Sequence, residues 1–253
     1  MSRPSLFFCD TSSVTSPALL SRYRELLEPA ETARLDRFRF EKDQHSFLVS
    51  HALLRTVLSE FTGTDAASLQ FAAGEHGKPY LDSTRLQSTA PLAFNLSHSG
   101  SYAVVAVRQG QAALGVDIEF HRAGRRFAEL SRRYFADSEV RALETAPGHA
   151  MVGRFYDIWT LKEAYLKARG TGLQLPLEDF AFAFSADRLD FNARPDLDDC
   201  PQRWRFWCAR FPGEFSVALA IESEDSPEPV LELRVPLGES RPTAFARIVA
   251  CSR

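Results

Sequence analysis

The chain has 253 residues, 45% of them hydrophobic, enough to bury a sizeable core as one large domain or two small ones. Its formal net charge of −3 argues against general affinity for nucleic acid or an anionic membrane, both of which need a basic surface. The four cysteines, at positions 9, 200, 208 and 251, show neither C-x-x-C pairing nor zinc-ligand spacing, so a disulfide framework or zinc site is not expected and free thiols are.

The first apolar stretch, Leu6, Phe7, Phe8 and Cys9, is too short for a signal-peptide core or a membrane span and reads as a strand; a cytoplasmic protein is the simplest expectation. Residues 16–60 read as helical, most clearly where Phe47, Leu48, His51, Leu54, Val57 and Leu58 recur at helical spacing. "LQFAAGEHGKPYL" is a short strand, a glycine turn at Gly74 to Gly77 and an exit stiffened by Pro79. "LAFNLSHSGSYAVVAVRQGQAALGVDIEF" gives two or three antiparallel strands, with turns at Ser99-Gly100 and Gln109-Gly110.

Two short helices follow in "RRFAELSRRYFADSEVRALE", the second starting at Asp137 or Ser138, and a long one in "GRFYDIWTLKEAYLKARGTG", closed by Gly170 and Gly172. "FAFAF", "RWRFWCARF", "FSVALAIE" and "VLELRV" then read as one strand meander. No linker or low-complexity tract interrupts the chain. The expectation is therefore an α+β protein of two closely packed halves, residues 1–111 and 112–253, each a small antiparallel sheet with helices against it.

Two charge patterns stand out. In "GVDIEF", Asp117 and Glu119 are two apart, so in a strand they point to one face, about 6.5 Å apart along the chain. Either they line the wet face of an antiparallel strand, or they are held together to bind a hard cation such as Mg²⁺ through oxygen. On the long helix, Ile158, Leu161, Tyr165 and Ala168 form an apolar stripe, and Glu163 and Lys167 lie roughly opposite, on the side of Tyr156 and Trp159. That pair is either an ordinary i,i+4 surface contact or part of a site.

Basic residues add a third signal. Of the 30, 26 are arginine and only Lys42, Lys78, Lys162 and Lys167 are lysine. Lysine retained in so arginine-rich a chain marks places where a compact ammonium is wanted, for example at phosphate.

Taken together, "FNLSHSG", "GVDIE" and "WTLKEAYLK", with Trp159 placed 42 positions after Asp117 (159 − 117), resemble the Sfp-type 4'-phosphopantetheinyl transferases. The family pattern is a G-[IV]-D strand followed roughly forty residues later by W-[ST]-x-K-E-[AS]-x-x-K, and this chain fits every position. "GKP", "SHS" and "YFADSE" also look like family segments, so the resemblance covers about residues 25–185.

The resemblance implies transfer of the phosphopantetheine arm of coenzyme A, the co-substrate, to a serine of an apo acyl or peptidyl carrier protein, with Mg²⁺ and release of 3',5'-ADP. It implies two halves related by a pseudo two-fold with the site at their seam, and a monomer would suffice. Asp117, Glu119 and Glu163 would hold the metal. Glu163, directly or through water, would take the serine proton, and Lys167 would hold or protonate the leaving oxygen.

Lys78 and Pro79 would border the adenine and its ribose phosphate, Ser97 and His98 would bind phosphate oxygens, and Lys162 joins the coenzyme-binding set as a motif lysine. Glu31 and Ser46 stand where some relatives have a base for the 3'-phosphate; Arg34, Lys42 or Arg55 would have to compensate. The carrier would dock on residues 122–133, where Arg122, Arg125, Arg126, Arg132 and Arg133 accompany one acid, Glu129, with Phe127 and Leu130 as apolar contacts. A silent binding module and a coenzyme A pyrophosphatase are the competing readings, separated by ADP release with and without carrier.

Overall fold

In the computed structural model the described residues are 2–251 apart from 83–85, 87–89, 123, 125, 186–187, 196, 198, 212–214, 226–227, 239 and 244–246. Of the expectations above, Arg125 and the Cys251 side chain lie outside the described set. The chain divides into two units, Ser2–Gln111 with Glu228–Ala244, and Ala112–Pro227 with Phe245–Arg253.

In the first unit, strand β1 (Ser5–Asp10) leads to helices α1 (Pro17–Leu26), α2 (Pro29–Leu35) and α3 (Glu41–Thr62). The helical stretch expected over residues 16–60 is thus three helices. Pro29 forces the first break, since proline cannot continue a helix but fits its first turn. Gly63, at φ 69°, ends α3 in the left-handed conformation that glycine adopts without strain.

The hairpin β2 (Phe71–Ala73) and β3 (Pro79–Leu81) stands apart from a five-stranded sheet. That sheet contains β4 (Leu92–Ser99), β5 (Tyr102–Gln109), β11 (Val230–Arg234) and β12 (Ser240–Pro242) in the order β12-β11-β1-β5-β4. Val49, Leu53, Leu54, Val57 and Leu58 of α3 pack against its Phe7, Val105 and Val107.

"VLELRV" therefore does not extend the C-terminal meander. Its strand β11 pairs parallel with β1, Leu6 opposite Leu231. The Arg234 guanidinium donates to both carboxylate oxygens of Glu60 at 2.8 Å, and Tyr23 donates to the Pro236 carbonyl at 2.7 Å. A parallel partner must come from far along the chain, which an alternation pattern cannot reveal.

The second unit holds β6 (Leu114–Phe120), helices α4 (Phe127–Tyr134), α5 (Asp137–Glu144) and α6 (Gly148–Arg169), and then β7 (Phe180–Ser185), β8 (Arg188–Ala193), β9 (Trp204–Phe211), β10 (Phe215–Glu222) and β13 (Arg247–Cys251). Its sheet order is β6-β10-β9-β13-β8-β7. Helix α6 lies over β6, β10 and β9. Its stripe of Leu161, Ala164, Tyr165 and Ala168 packs on Phe180, Phe182, Phe206 and Ala218, while Phe155, Tyr156 and Ile158 pack with Phe127, Phe135 and Leu143 of α4 and α5. Sheet on one side and helices on another explain why α6 carries no single apolar face. Cys9 and Cys208 are free and buried, and Cys200 is free and exposed.

Candidate active site

Strand β6 meets α6 at Gly115. A methyl group there would overlap the Ala164 carbonyl oxygen and lie 2.9 Å from the Ala168 Cα, so only glycine permits this approach. Asp117 and Glu119, two and four residues on, share that face. Their cross-strand neighbours on β10 are Ala218 and Ser216, and that of Gly115 is Ala220, all small enough to leave room for the helix.

The two readings of the D-x-E pair are thereby separated for Asp117, which is only 4% exposed and does not line a wet face. Its Oδ1 accepts from Lys167 Nζ at 2.6 Å. Lys167 thus reaches across to the strand as well as lying one turn from Glu163. The Glu163 carboxyl is pushed up to about 7, first by burial and next by the Asp117 charge; Lys167 opposes the rise and Glu119 adds to it. Two carboxylates from β6 and one from α6 therefore share one electrostatic neighbourhood. An all-oxygen donor set of this kind fits a hard divalent cation, although among the described residues no three His, Cys, Asp or Glu side chains converge on a single metal position.

Lys162 is a correction. Its side chain is wholly buried, Nζ donating to the Leu177 carbonyl at 2.7 Å and the Phe180 carbonyl at 2.5 Å and pairing with Glu139 at 2.8 Å. All three ammonium hydrogens are used, which leaves none for coenzyme A. Glu139 in turn accepts from the Phe182 and Ala136 amides at 2.9 and 3.0 Å, so the pair ties α5, α6 and β7 together.

Arg55 is a second correction. Fully buried, it donates to Glu31 at 2.6 Å and to the Ala66 and Leu69 carbonyls at 3.0 Å, and Glu31 also bonds His51 at 2.6 Å. The acid standing where a phosphate-binding base was sought serves this internal cluster. Arg34 and Lys42 are exposed, beside the rings of Phe47 and Phe40.

Lys78 and Pro79 lie at the β2–β3 turn, closed by the Gly74 amide on the Lys78 carbonyl at 2.9 Å, with Gly77 at φ 82°. Burial pushes the Lys78 ammonium down to about 8. Ser97 and His98 fall inside β4, just ahead of the turn expected at Ser99-Gly100, Ser97 buried and His98 exposed. In the expected docking segment, Phe127 is 6% exposed and packs on Phe155, so it is not a surface contact. Arg126 pairs with Glu129 at 3.1 Å and Arg132 with Glu144 at 2.6 Å.

One polar group escaped the sequence reading. His121, Asp157, Arg210 and Ser216 are linked beside Glu119. Extending the i+2 alternation of Gly115, Asp117 and Glu119 by one more step reaches His121, a signal that was there to be read.

Residues 15–110 match the family model described as 4'-phosphopantetheinyl transferase, N-terminal, and residues 113–220 that of the 4'-phosphopantetheinyl transferase superfamily. The chain is 31% identical over 219 residues to Synechocystis sp. slr0495, whose assignment as a 4'-phosphopantetheinyl transferase is provisional, covering 82% of this chain and 86% of that protein. It is 32% identical over 151 residues to a Bacillus subtilis 4'-phosphopantetheinyl transferase, covering 60% of this chain and 63% of that one, which is less than two thirds of its length. To the 4'-phosphopantetheinyl transferase Sfp of Bacillus subtilis strain 168 it is 28% identical over 166 residues, covering 66% and 70%.

The chain belongs to the 4'-phosphopantetheinyl transferase superfamily, and the resemblance carried by its three motifs is borne out. Among the described residues, no helix is long and apolar enough to cross a membrane.

Proposed function

We propose that this chain is an Sfp-type 4'-phosphopantetheinyl transferase, moving the phosphopantetheine arm of coenzyme A to a serine of an apo acyl or peptidyl carrier protein with release of 3',5'-ADP. The observation that carries the reading is the meeting of β6 and α6, where Lys167 bonds Asp117 at 2.6 Å one helical turn from a Glu163 held near 7. A buried carboxyl raised towards neutrality is the kind of group that general-base chemistry uses.

Asp117, Glu119 and Glu163 are the residues that would hold Mg²⁺, which would supply charge neutralisation at the pyrophosphate. Glu163, directly or through a water it orients, accepts the proton of the attacking serine. Lys167, whose ammonium is a mobile point charge, holds or protonates the oxygen that leaves with ADP. Burial of Asp117 keeps water from competing for its oxygens.

Lys78, Pro79, Ser97 and His98 are assigned to the nucleotide end of coenzyme A, and Arg34 or Lys42 to its 3'-phosphate. The basic face of α4 and the turn before it, with Arg122, Arg126 and Arg133, is assigned to the carrier. The test is to incubate the protein with coenzyme A, Mg²⁺ and a panel of apo carriers, and weigh the carriers by mass spectrometry. A carrier heavier by one phosphopantetheine is expected. ADP released equally well without carrier would instead make the protein a pyrophosphatase.

A further inference from the structure

His121 follows the last residue of β6 and lies flat on Tyr156 of α6, ring centroids 4.6 Å apart and planes 8° from parallel. Its Nε2 is 2.8 Å from Ser216 Oγ, which donates to Asp157 Oδ1 at 2.8 Å. The serine hydrogen goes to Asp157, and the imidazole has one ring nitrogen to donate and one to accept. Arg210 supplies the other side, with one guanidinium nitrogen 3.0 Å from Nδ1 and 2.7 Å from Nε2 and a second 3.1 Å from Asp157 Oδ2. The four side chains close a ring drawn from β9, β10, α6 and the end of β6.

The ring is built into the site's own framework. Ser216 is the cross-strand neighbour of Glu119, and Arg210 that of Ser216, so Glu119, Ser216 and Arg210 form one row across the face that meets α6. Gly153 of α6 is needed for the ring, because a methyl group there would overlap the Arg210 guanidinium. The Arg122 amide, next along the chain, donates to the Tyr156 hydroxyl at 3.0 Å. Helix and strand are thus fastened at two places, Gly115 against Ala164 and Ala168 at one end and the ring at the other. Asp117, Glu119 and Glu163 lie between them, and Lys167 sits at the Gly115 end.

We propose that His121, through its closed ring with Ser216, Asp157 and Arg210, is a positioning residue that holds Glu119 of the strand and Glu163 of the helix in register for a divalent cation. The inference rests on the reading of those carboxylates as metal ligands. A clamp of this kind acts on metal binding first, because Ser216 adjoins Glu119 and the ring shares α6 with Glu163.

The test uses the full chain with His121→Phe, which keeps a flat ring on Tyr156 and removes both nitrogens, Ser216→Ala, which opens the ring at one hydroxyl, and His121→Gln, whose amide can still accept from Arg210 and donate to Ser216. Each is measured for thermal unfolding with and without Mg²⁺, for Mg²⁺ affinity by calorimetry, and for kcat and KM. His121→Phe and Ser216→Ala are expected to weaken Mg²⁺ binding about tenfold or more, to shrink the Mg²⁺-induced rise in Tm and to lower kcat, with KM for coenzyme A unchanged. His121→Gln is expected to recover part of the loss.

If the wild type binds Mg²⁺ and folded Ser216→Ala binds it as tightly, the ring is only structural and the inference fails, whatever happens to Tm without metal. If the wild type itself shows no Mg²⁺ binding, the metal reading fails first and takes this inference with it.

Discussion

Lys167 and Asp117 face each other across α6 and β6 at 2.6 Å, the acid buried and the ammonium half-buried, so the site carries a cation of its own beside a carboxylate assigned to the metal. Removing that ammonium in Lys167→Met leaves Asp117 and Glu163 less compensated. Mg²⁺ binding without coenzyme A is expected to tighten while single-turnover transfer slows by about 100-fold, the scale of a lost proton-transfer group. Lys167→Arg should also slow transfer, because the planar guanidinium does not deprotonate and is bulkier. Calorimetry and rapid-quench measurements read both. An arginine variant at the wild-type rate would reduce Lys167 to a partner of Asp117.

Gly115→Ala puts a methyl group into the backbone of α6 where nothing flexible can yield. Overpacking of this kind costs about 1–3 kcal/mol, and here at the upper end since the obstruction is main chain. Urea unfolding should show the loss, and any folded fraction should bind Mg²⁺ less tightly because helix and strand are levered apart. Unchanged stability would mean that α6 can slide.

Lys78 loses its proton as pH rises through about 8, whereas in the unfolded chain it would do so near 10.5. Between those values the unfolded state binds the extra proton, so this residue's contribution to stability rises with pH; below 8 burying the charge is a cost. If the ammonium contacts a phosphate of coenzyme A, KM for coenzyme A should climb as pH passes 8. In Lys78→Arg, always charged, that climb should vanish. A wild-type KM flat from pH 7 to 9 would remove Lys78 from the phosphate site.

Arg126→Glu with Arg133→Glu reverses two charges of the α4 face. KM for carrier is expected to rise, KM for coenzyme A to stay, and the salt sensitivity expected of the wild type to be lost, since screening shortens from about 10 Å at 0.1 M to about 3 Å at 1 M. Equal carrier kinetics in variant and wild type would refute docking there. The ion pairs of Arg126 with Glu129 and Arg132 with Glu144 make the face less basic than its arginine count suggests.

Local chemistry was readable from the chain alone wherever a residue's role follows from its immediate neighbours. The i+2 spacing of Asp117 and Glu119 and the stop at Gly170 belong to that class. What depended on distant partners was not. Lys162 sits beside Glu163 in the motif, yet one residue is 100° of helix rotation, and that turn takes it from the site into a closed pocket with Glu139. Arg55 is hidden in the same way, because its acid, Glu31, is 24 residues away. The parallel pairing of β11 with β1 joins residues more than 220 positions apart, and no periodicity encodes it.

That pairing also bears on how the protein is made. A ribosome delivers β1 first, yet its parallel neighbour emerges only with Val230–Arg234, and β13, an interior strand between β9 and β8, comes later still. Neither sheet is complete until the segment from Val230 to Cys251 has been made. Until then the flanks of β1 and β9 stand open as templates for any other extended segment. Residues 230–251 act as a keystone set after the site is made, and a chain cut before them, with every residue of the site intact, would still leave both sheets unclosed.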